Sequence, residues 1–324
     1  MHKKNILITG ATGFIGSNLV KVLARDDQYN IIAIVRPESN RNKIENLKKL
    51  NVRLAPGNFY DNDFLRNLFK SLSIDCIIHC AALTGAGLGS EQEYKKINVL
   101  GTEFLLKNAF EHKVKKFIFC SSVGVWGTIP KQVPATLQTP LNPDGYYHQS
   151  KANAEGKVLE YAAKGLNAFI VRPTIVYGPQ DKGFAEKLAK MVEQKKLFFK
   201  KNVRIHLVNI DKLIEIFCQI INLDINAKKI FIAVDKTGVG LEEIVNLLSM
   251  YYHGKNYPEY FMLPGWVFKF IKLCFQLMKN DKWLTRIRLL SEDWFYDNSD
   301  AEEILNVTPV LTKDYFLRQV LNIP

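Results

Sequence analysis

The sequence predicts a doubly wound parallel α/β sheet followed by a smaller, mixed C-terminal part, and three observations carry that reading. A buried strand joins a helix through three glycines at the start of the chain, in Asn5-Ile-Leu-Ile-Thr-Gly-Ala-Thr-Gly-Phe-Ile-Gly16. Short apolar runs then alternate with segments of helical period as far as residue 180, the pattern of successive β-α-β units. The third is bulk: 324 residues, 47% hydrophobic and 23% charged, suit one large body with an appendage. The expected organisation is a nucleotide-binding part over 1–180 and a substrate-binding part over 181–324 that sends elements back to the main sheet. There are no internal repeats or low-complexity segments.

The first strand is Ile6-Leu-Ile8, and Phe14, Ile15, Leu19, Val20 and Leu23 follow at helical spacing. Between them each glycine has its own task. Gly10 takes backbone angles closed to other residues, Gly13 leaves room for a pyrophosphate and Gly16 lets the helix pack closely on the strand. The helix N-terminus then offers free N–H groups and the positive end of its dipole to phosphate. Ile31–Val35 is the second strand, and no acidic residue ends it. Arg36 stands there, with Asn40, Arg41 and Lys43 close behind, which favours NADP over NAD, the alternative being that Arg36 is a solvated loop charge.

A third strand is expected over Val52–Ala55, then a helix over Asp63–Ser71 and a fourth strand over Cys76–Cys80. This strand runs into Ala81, Ala82 and Leu83, small enough at the first two positions to leave room for a cofactor. A helix over Glu91–Glu111 and a fifth strand over Lys116–Cys120 lead to Ser121 and Ser122. After a proline-rich loop, Tyr146-Tyr-His-Gln-Ser-Lys151 opens a helix reaching Lys164, and Asn167–Val171 is the sixth strand, ending at Arg172-Pro-Thr-Ile-Val-Tyr-Gly-Pro179. Beyond it the expected elements are helices over Phe184–Glu193, Lys212–Leu223 and Leu241–Tyr252 and strands over Val203–Val208 and Ile230–Val234.

Five scattered cysteines lack both the pairing of a disulfide scaffold and the spacing of a zinc site, so reduced core thiols and no metal are expected. The opening apolar run is too short for a signal peptide, and a cytoplasmic chain is expected. A net charge of +12 favours anionic partners, but no basic run is long enough to select nucleic acid.

Tyr147 and Lys151 lie four apart and so share one helix face. Tyrosine, with a pKa of about 10, is a poor base at neutral pH, and lowering it by ~2–3 units takes ~3–4 kcal/mol of preferential phenolate stabilisation. A nearby ammonium and an oxidised nicotinamide could supply that. Ser122, at a strand end on the expected ligand-binding edge, could hold a substrate oxygen against Tyr147. The alternative is a packed aromatic beside a solvated lysine.

In family order, TGATGFIG at Thr9–Gly16, HCAA at His79–Ala82, NVLGT at Asn98–Thr102, SSVGVWG at Ser121–Gly127, YxxxK at Tyr147–Lys151 and RPTIVYGP at Arg172–Pro179 resemble the extended short-chain dehydrogenase/reductases, the NAD-dependent epimerase/dehydratase group with its Rossmann fold. The resemblance implies hydride transfer at a secondary alcohol or ketone, with Tyr147 as acid/base, Lys151 as its partner, Ser122 positioning the oxygen and Asn98 supporting the lysine through water. It implies a cofactor site from Gly10, Thr12, Gly13, Phe14, Ile15, Gly16, Arg36, Asn58 and Phe59, continued by Ala81, Ala82, Leu83, Lys151, Pro173 and Val176. The implied substrate site takes Thr84, Ser122, Trp126, Tyr147, Thr174 and Arg204, and a small-molecule substrate is expected. Asn58 stands where the family commonly has an acid facing adenine, and an amide still serves. Ser122-Val-Gly124 lacks the acidic pair of the nucleotide-sugar dehydratases, and Thr174-Ile175 looks more like the 3β-hydroxysteroid dehydrogenase and dihydroflavonol reductase branches. Arg204 points the other way, toward a nucleotide-sugar 4-epimerase. A nonenzymatic NADP sensor is a third reading. The family also implies a homodimer through the helices Glu91–Glu111 and Gln149–Lys164.

Residues 264–279 form a largely apolar helix with one lysine-rich stripe, which must bury most of its circumference. It is too interrupted to span a bilayer. A lid or core helix, a dimer contact, and an interfacial membrane helix with lysines toward headgroups are the three readings. The tail from Asp297 to Pro309 resembles the family's closing pattern, with Asp300 in place of its basic residue, from which a complete chain is expected.

Overall fold

A computed structural model describes residues 3–85, 89–223 and 230–321. In chain order its elements are β1 (Lys4–Thr9), α1 (Phe14–Leu23), β2 (Tyr29–Val35), α2 (Arg41–Lys48), β3 (Arg53–Pro56), α3 (Asn62–Ser71), β4 (Cys76–His79), α4 (Glu91–Tyr94), α5 (Gly101–Glu111), β5 (Lys116–Cys120), α6 (Gly145–Ala163) and β6 (Ala168–Pro173). There follow β7 (Ile175–Tyr177), α7 (Phe184–Glu193), β8 (Phe199–Lys200), β9 (Arg204–Ile205), β10 (Leu207–Asn209), α8 (Ile210–Asn222), β11 (Ile230–Ala233), β12 (Val239–Gly240) and α9 (Leu241–His253), then β13 (Met262–Leu263), α10 (Gly265–Leu277), α11 (Asp281–Leu289), α12 (Ser299–Leu305) and α13 (Thr312–Leu321).

The main sheet has the order β11-β6-β5-β4-β1-β2-β3, and β1 pairs in parallel with both β2 and β4. The chain therefore builds outward from β1 in one direction, then returns and builds from β4 in the other. The β1/β4 junction is the switch point at which such sheets open a crevice at the carboxyl ends of their strands. Near-continuous apolar runs such as Ile6-Leu-Ile8 and Phe117-Ile-Phe119 make strands buried on both faces. Polar caps start the helices between them. Asn40 accepts from two backbone amides at the start of α2, Asp61 does so for α3, and Ser90 with Glu93 forms a capping box on α4.

The chain forms two compact units, one of residues 1–122, 146–172 and 214–231, the other of 123–145, 173–213 and 232–324. The first holds the main sheet. The second holds three two-stranded pairings, β10 with β7, β12 with β9 and β13 with β8.

Three expectations change. The helix over 91–111 is not a continuous α-helix, because Lys95–Leu100 is a π-turn that sets Asn98 inward. The strand over 203–208 divides at His206, since β9 pairs antiparallel with β12 whereas β10 pairs parallel with β7. Most unlike expectation, α10 is not wrapped by the chain: of its residues only Phe268 is fully buried, and Trp266 is 72% exposed. Among the described residues no helix is long and apolar enough to cross a membrane.

Candidate active site

The glycine turn at the end of β1 is built as a cradle. Gly10 sits at φ +73°, and a Cβ there would lie 2.7 Å from the Ala81 nitrogen at the end of β4. A Cβ on Gly16 would lie 2.2 Å from the Gly10 carbonyl, so α1 closes on the turn only because that position is glycine. Gly13 is the N-cap of α1 and brings no side chain to its first amides, which leaves Thr12, Phe14 and Ile15 around an open helix N-terminus. Lys43 of α2 donates to the Thr12 carbonyl at 2.8 Å. Arg36, largely exposed, faces Glu38 at 3.6 Å. At the end of β3, Asn58 Oδ1 is buried without a hydrogen-bond partner, an acceptor fit for an amino group, and Phe59 is packed 5.0 Å from the His79 ring. These residues fit a dinucleotide: a glycine turn, an uncapped helix start, a buried acceptor and flanking cations.

Three side chains that the sequence reading did not single out tie the strand ends together. The Thr9 hydroxyl accepts from the Ala81 amide at 3.1 Å and meets His79 Nδ1 at 2.6 Å. On the other side of the ring, His79 Nε2 meets Thr102 Oγ1 at 3.0 Å, and Thr102 donates to the Asn98 carbonyl at 2.6 Å. With Thr9 and Thr102 each having one proton to give, these partners assign the proton to Nε2 and leave Nδ1 an acceptor. Burial holds the imidazole well below its ordinary pKa, which keeps it neutral. The one available signal was a histidine inside an apolar strand run, which must find partners when buried.

Asn98 is clamped. Its Oδ1 accepts from the Leu83 amide at 2.8 Å, and its Nδ2 donates to the Leu83 carbonyl at 3.0 Å and to Ser150 Oγ at 2.8 Å. Ser150 donates in turn to the Tyr147 carbonyl. Asn98 thus joins the Ala81-Ala82-Leu83 segment to α6, while Thr84 beyond it is exposed.

Ser122, Tyr147 and Lys151 lie in the same unit. Tyr147 is partly buried and hydrogen-bonds Ser122. Lys151 is 3% exposed, donates to the Cys120 carbonyl at 2.7 Å and lies 4.7 Å from the Phe119 ring centroid. Burial pushes Tyr147 upward, Cys120 adds to the rise, and the Ser122 hydrogen bond offsets part of it. Burial likewise lowers Lys151, against the nearby Cys120, Cys80 and Glu155. A buried ion pair anchors α6 from below: Arg172 of β6 grips Glu155 through two bonds of 2.9 and 2.6 Å.

The remaining candidates belong to the second unit. Trp126 is fully buried, donates its indole N–H to the Thr139 carbonyl and stacks on Tyr296. Thr174 is buried and donates to the His206 carbonyl at 2.7 Å, between Pro173 and a half-buried Val176. Arg204 is exposed, its guanidinium 4.7 Å from the Phe295 ring centroid.

Residues 6–233 match the family model of the NAD dependent epimerase/dehydratase family. The chain is 34% identical over 202 residues to a dTDP-D-glucose 4,6-dehydratase of Dictyostelium discoideum, a match covering 57% of this chain and 46% of that protein. It is 31% identical over 258 residues to a UDP-glucose 4-epimerase of Vibrio cholerae, covering 76% of this chain and 75% of that protein. It thus spans less than half the length of the first relative and three quarters of the second. Among solved structures, the Bordetella bronchiseptica enzyme WbmG in complex with NAD superimposes with a TM-score of 0.78 over 98% of this chain and 93% of that one, at 19% identity, a likeness of fold.

Proposed function

The chain belongs to the NAD dependent epimerase/dehydratase family, and on that premise we propose that it is an NAD(P)-dependent oxidoreductase acting on a secondary alcohol or ketone. The observation that carries this reading is the Ser122–Tyr147 hydrogen bond beside the buried Lys151, at the carboxyl end of β5. A bound dinucleotide supplies the hydride donor or acceptor. Ser122 and Tyr147 together hold the substrate oxygen. Tyr147, whose phenol burial keeps protonated, gives its proton to that oxygen in the reductive direction and recovers it in the oxidative one. Lys151, fixed on the Cys120 carbonyl one helical turn along α6, steadies the negative charge left on Tyr147.

Arg36 supports a preference for NADP, since it brings a cation to the tip of β2, where a ribose 2′-phosphate would sit, and Lys43 adds a second cation at the Thr12 carbonyl. A homodimer through the helices Glu91–Glu111 and Gln149–Lys164 is supported by the groove of 530 Å³ lined by α4, the π-turn after it and α6, and by exposed Phe110 and Leu159. The second reading is a nucleotide-sugar 4-epimerase, favoured by the Vibrio cholerae relative and by the exposed Arg204 as a phosphate contact. Dehydration of a nucleotide sugar is not proposed, because Ser122-Val-Gly124 carries no acidic pair.

Calorimetric titration with NADPH, NADH and a panel of uridine and guanosine diphosphate sugars separates these readings. The oxidoreductase reading expects dinucleotide binding, tighter for NADPH and equalised in Arg36→Ala, with no sugar nucleotide bound. Micromolar binding of a sugar nucleotide together with NAD would replace it by the epimerase. Absence of any dinucleotide binding would remove both.

A further inference from the structure

We propose that the helical hairpin α10–α11 is a docking surface for an anionic lipid bilayer, a role independent of the chemistry assigned to Tyr147. The sequence of α10 calls for burial, yet its apolar residues divide between two sides. Phe268 is buried, whereas Trp266, Phe270, Leu273 and Leu277 are 72%, 64%, 52% and 76% exposed. Those four recur at intervals of four, three and four, which at 3.6 residues per turn confines them to about 60° of arc. The exposed stripe is therefore a designed face and not a scatter of single residues. Trp283, 46% exposed and stacked on Phe275, extends it onto α11, and Met278 at the bend is 68% exposed.

Charge selects the occupant. Residues 265–289 carry six Lys and Arg against a single Asp, a net of +5, within a chain of +12. Lys272 pairs with Glu292 and Arg288 with Asp144, whereas Lys269, Lys279 and Lys282 are exposed and, among the described residues, form no ion pair. A twofold contact with a second copy would set two such faces together, apolar stripe on stripe but cation against cation. An anionic bilayer satisfies both at once, taking the aromatic and aliphatic stripe at the headgroup boundary and the lysines at the phosphates. The helix is too short to span, so it lies in the interface plane.

The protein's own tryptophans make the test. Trp126 and Trp294 are fully buried, so a fluorescence change on adding vesicles reports Trp266 and Trp283. Vesicles of phosphatidylcholine with phosphatidylglycerol are compared with phosphatidylcholine alone by flotation and emission, at low and high salt. Docking expects a blue shift and co-flotation with the anionic vesicles only, at least tenfold weaker in high salt, in Trp266→Asp/Phe270→Asp and in Lys269→Glu/Lys279→Glu/Lys282→Glu. Circular dichroism checks that each variant folds, and the charge variant alone decides if the apolar one does not. Absence of wild-type flotation, or equal flotation of the charge variant, overturns the proposal. So does a dimer, seen by sedimentation, that Trp266→Asp/Phe270→Asp dissociates, because the face would then be a self-contact.

Discussion

Tyr147, partly buried, and His206, fully buried, are both titratable groups, and they test opposite ends of the molecule's acid–base behaviour. Replacing Tyr147 by Phe removes one hydroxyl and leaves the ring's packing. If that hydroxyl carries the proton, turnover should fall by ~10²–10⁴-fold, while calorimetry finds dinucleotide affinity nearly unchanged; ordinary turnover would remove the mechanism. His206 accepts from the Tyr296 amide at Nδ1 and gives its Nε2 proton to the Asp235 carbonyl, so a second ring proton would face a donor. Its pKa is accordingly lowered to about 4, by burial first. A base depressed in the folded state is more protonated when unfolded, so its contribution is whole above about pH 6.5 and drains away toward pH 4, by about 3 kcal/mol. Urea midpoints measured between pH 7 and 4 should fall more steeply for the wild type than for His206→Asn; parallel curves would refute it. The Tyr147–Lys151 pair was legible because its partners lie one helical turn apart. The Thr9–His79–Thr102 relay was not, since its contacts join positions 70 and 23 residues apart that only the sheet brings together.

At the scale of elements, α6 is held to the sheet by charge as well as by apolar packing. Glu155 and Arg172 are 2% and 4% exposed, and their two-bond pairing leaves neither charge uncompensated. Removing one partner strands the other in the core. Glu155→Ala should therefore cost about 3–5 kcal/mol, and the double replacement Glu155→Leu/Arg172→Met should recover most of it. Denaturant unfolding of the three variants would reject this if the single and double changes cost the same. Strands were the best-read elements, because burial on both faces writes Ile31–Val35 and Phe117–Cys120 as unbroken apolar runs. The π-turn at Lys95–Leu100 was invisible to periodicity, since it inserts only one residue and Leu105, Leu106 and Ala109 beyond it keep helical spacing. Only the Asn98 clamp on Leu83 shows its purpose: it rotates one amide into the sheet's ligand edge.

For the whole molecule, the assembly question falls on two separate faces, and each makes a different demand. The cationic stripe of α10 repels its own image, whereas the face of α5 and α6 is nearly balanced, with Lys157 already paired to Glu103 at 2.8 Å. Around its groove the α6 surface is small and open at Ala152 and Gly156, and Phe110 and Leu159 stand 42% and 44% exposed nearby. A Cβ built on Gly156 meets nothing within 4 Å, so a larger side chain is accommodated by the single chain. Leucine there also favours the helix, by roughly 0.5–1 kcal/mol over glycine. Gly156→Leu should then raise or preserve thermal stability of the protomer while prising apart any dimer formed on this face. Sedimentation velocity reads the outcome: a wild-type dimer and a mutant monomer place the interface on α5 and α6, whereas a dimer unmoved by Gly156→Leu excludes that face and a wild-type monomer excludes the dimer.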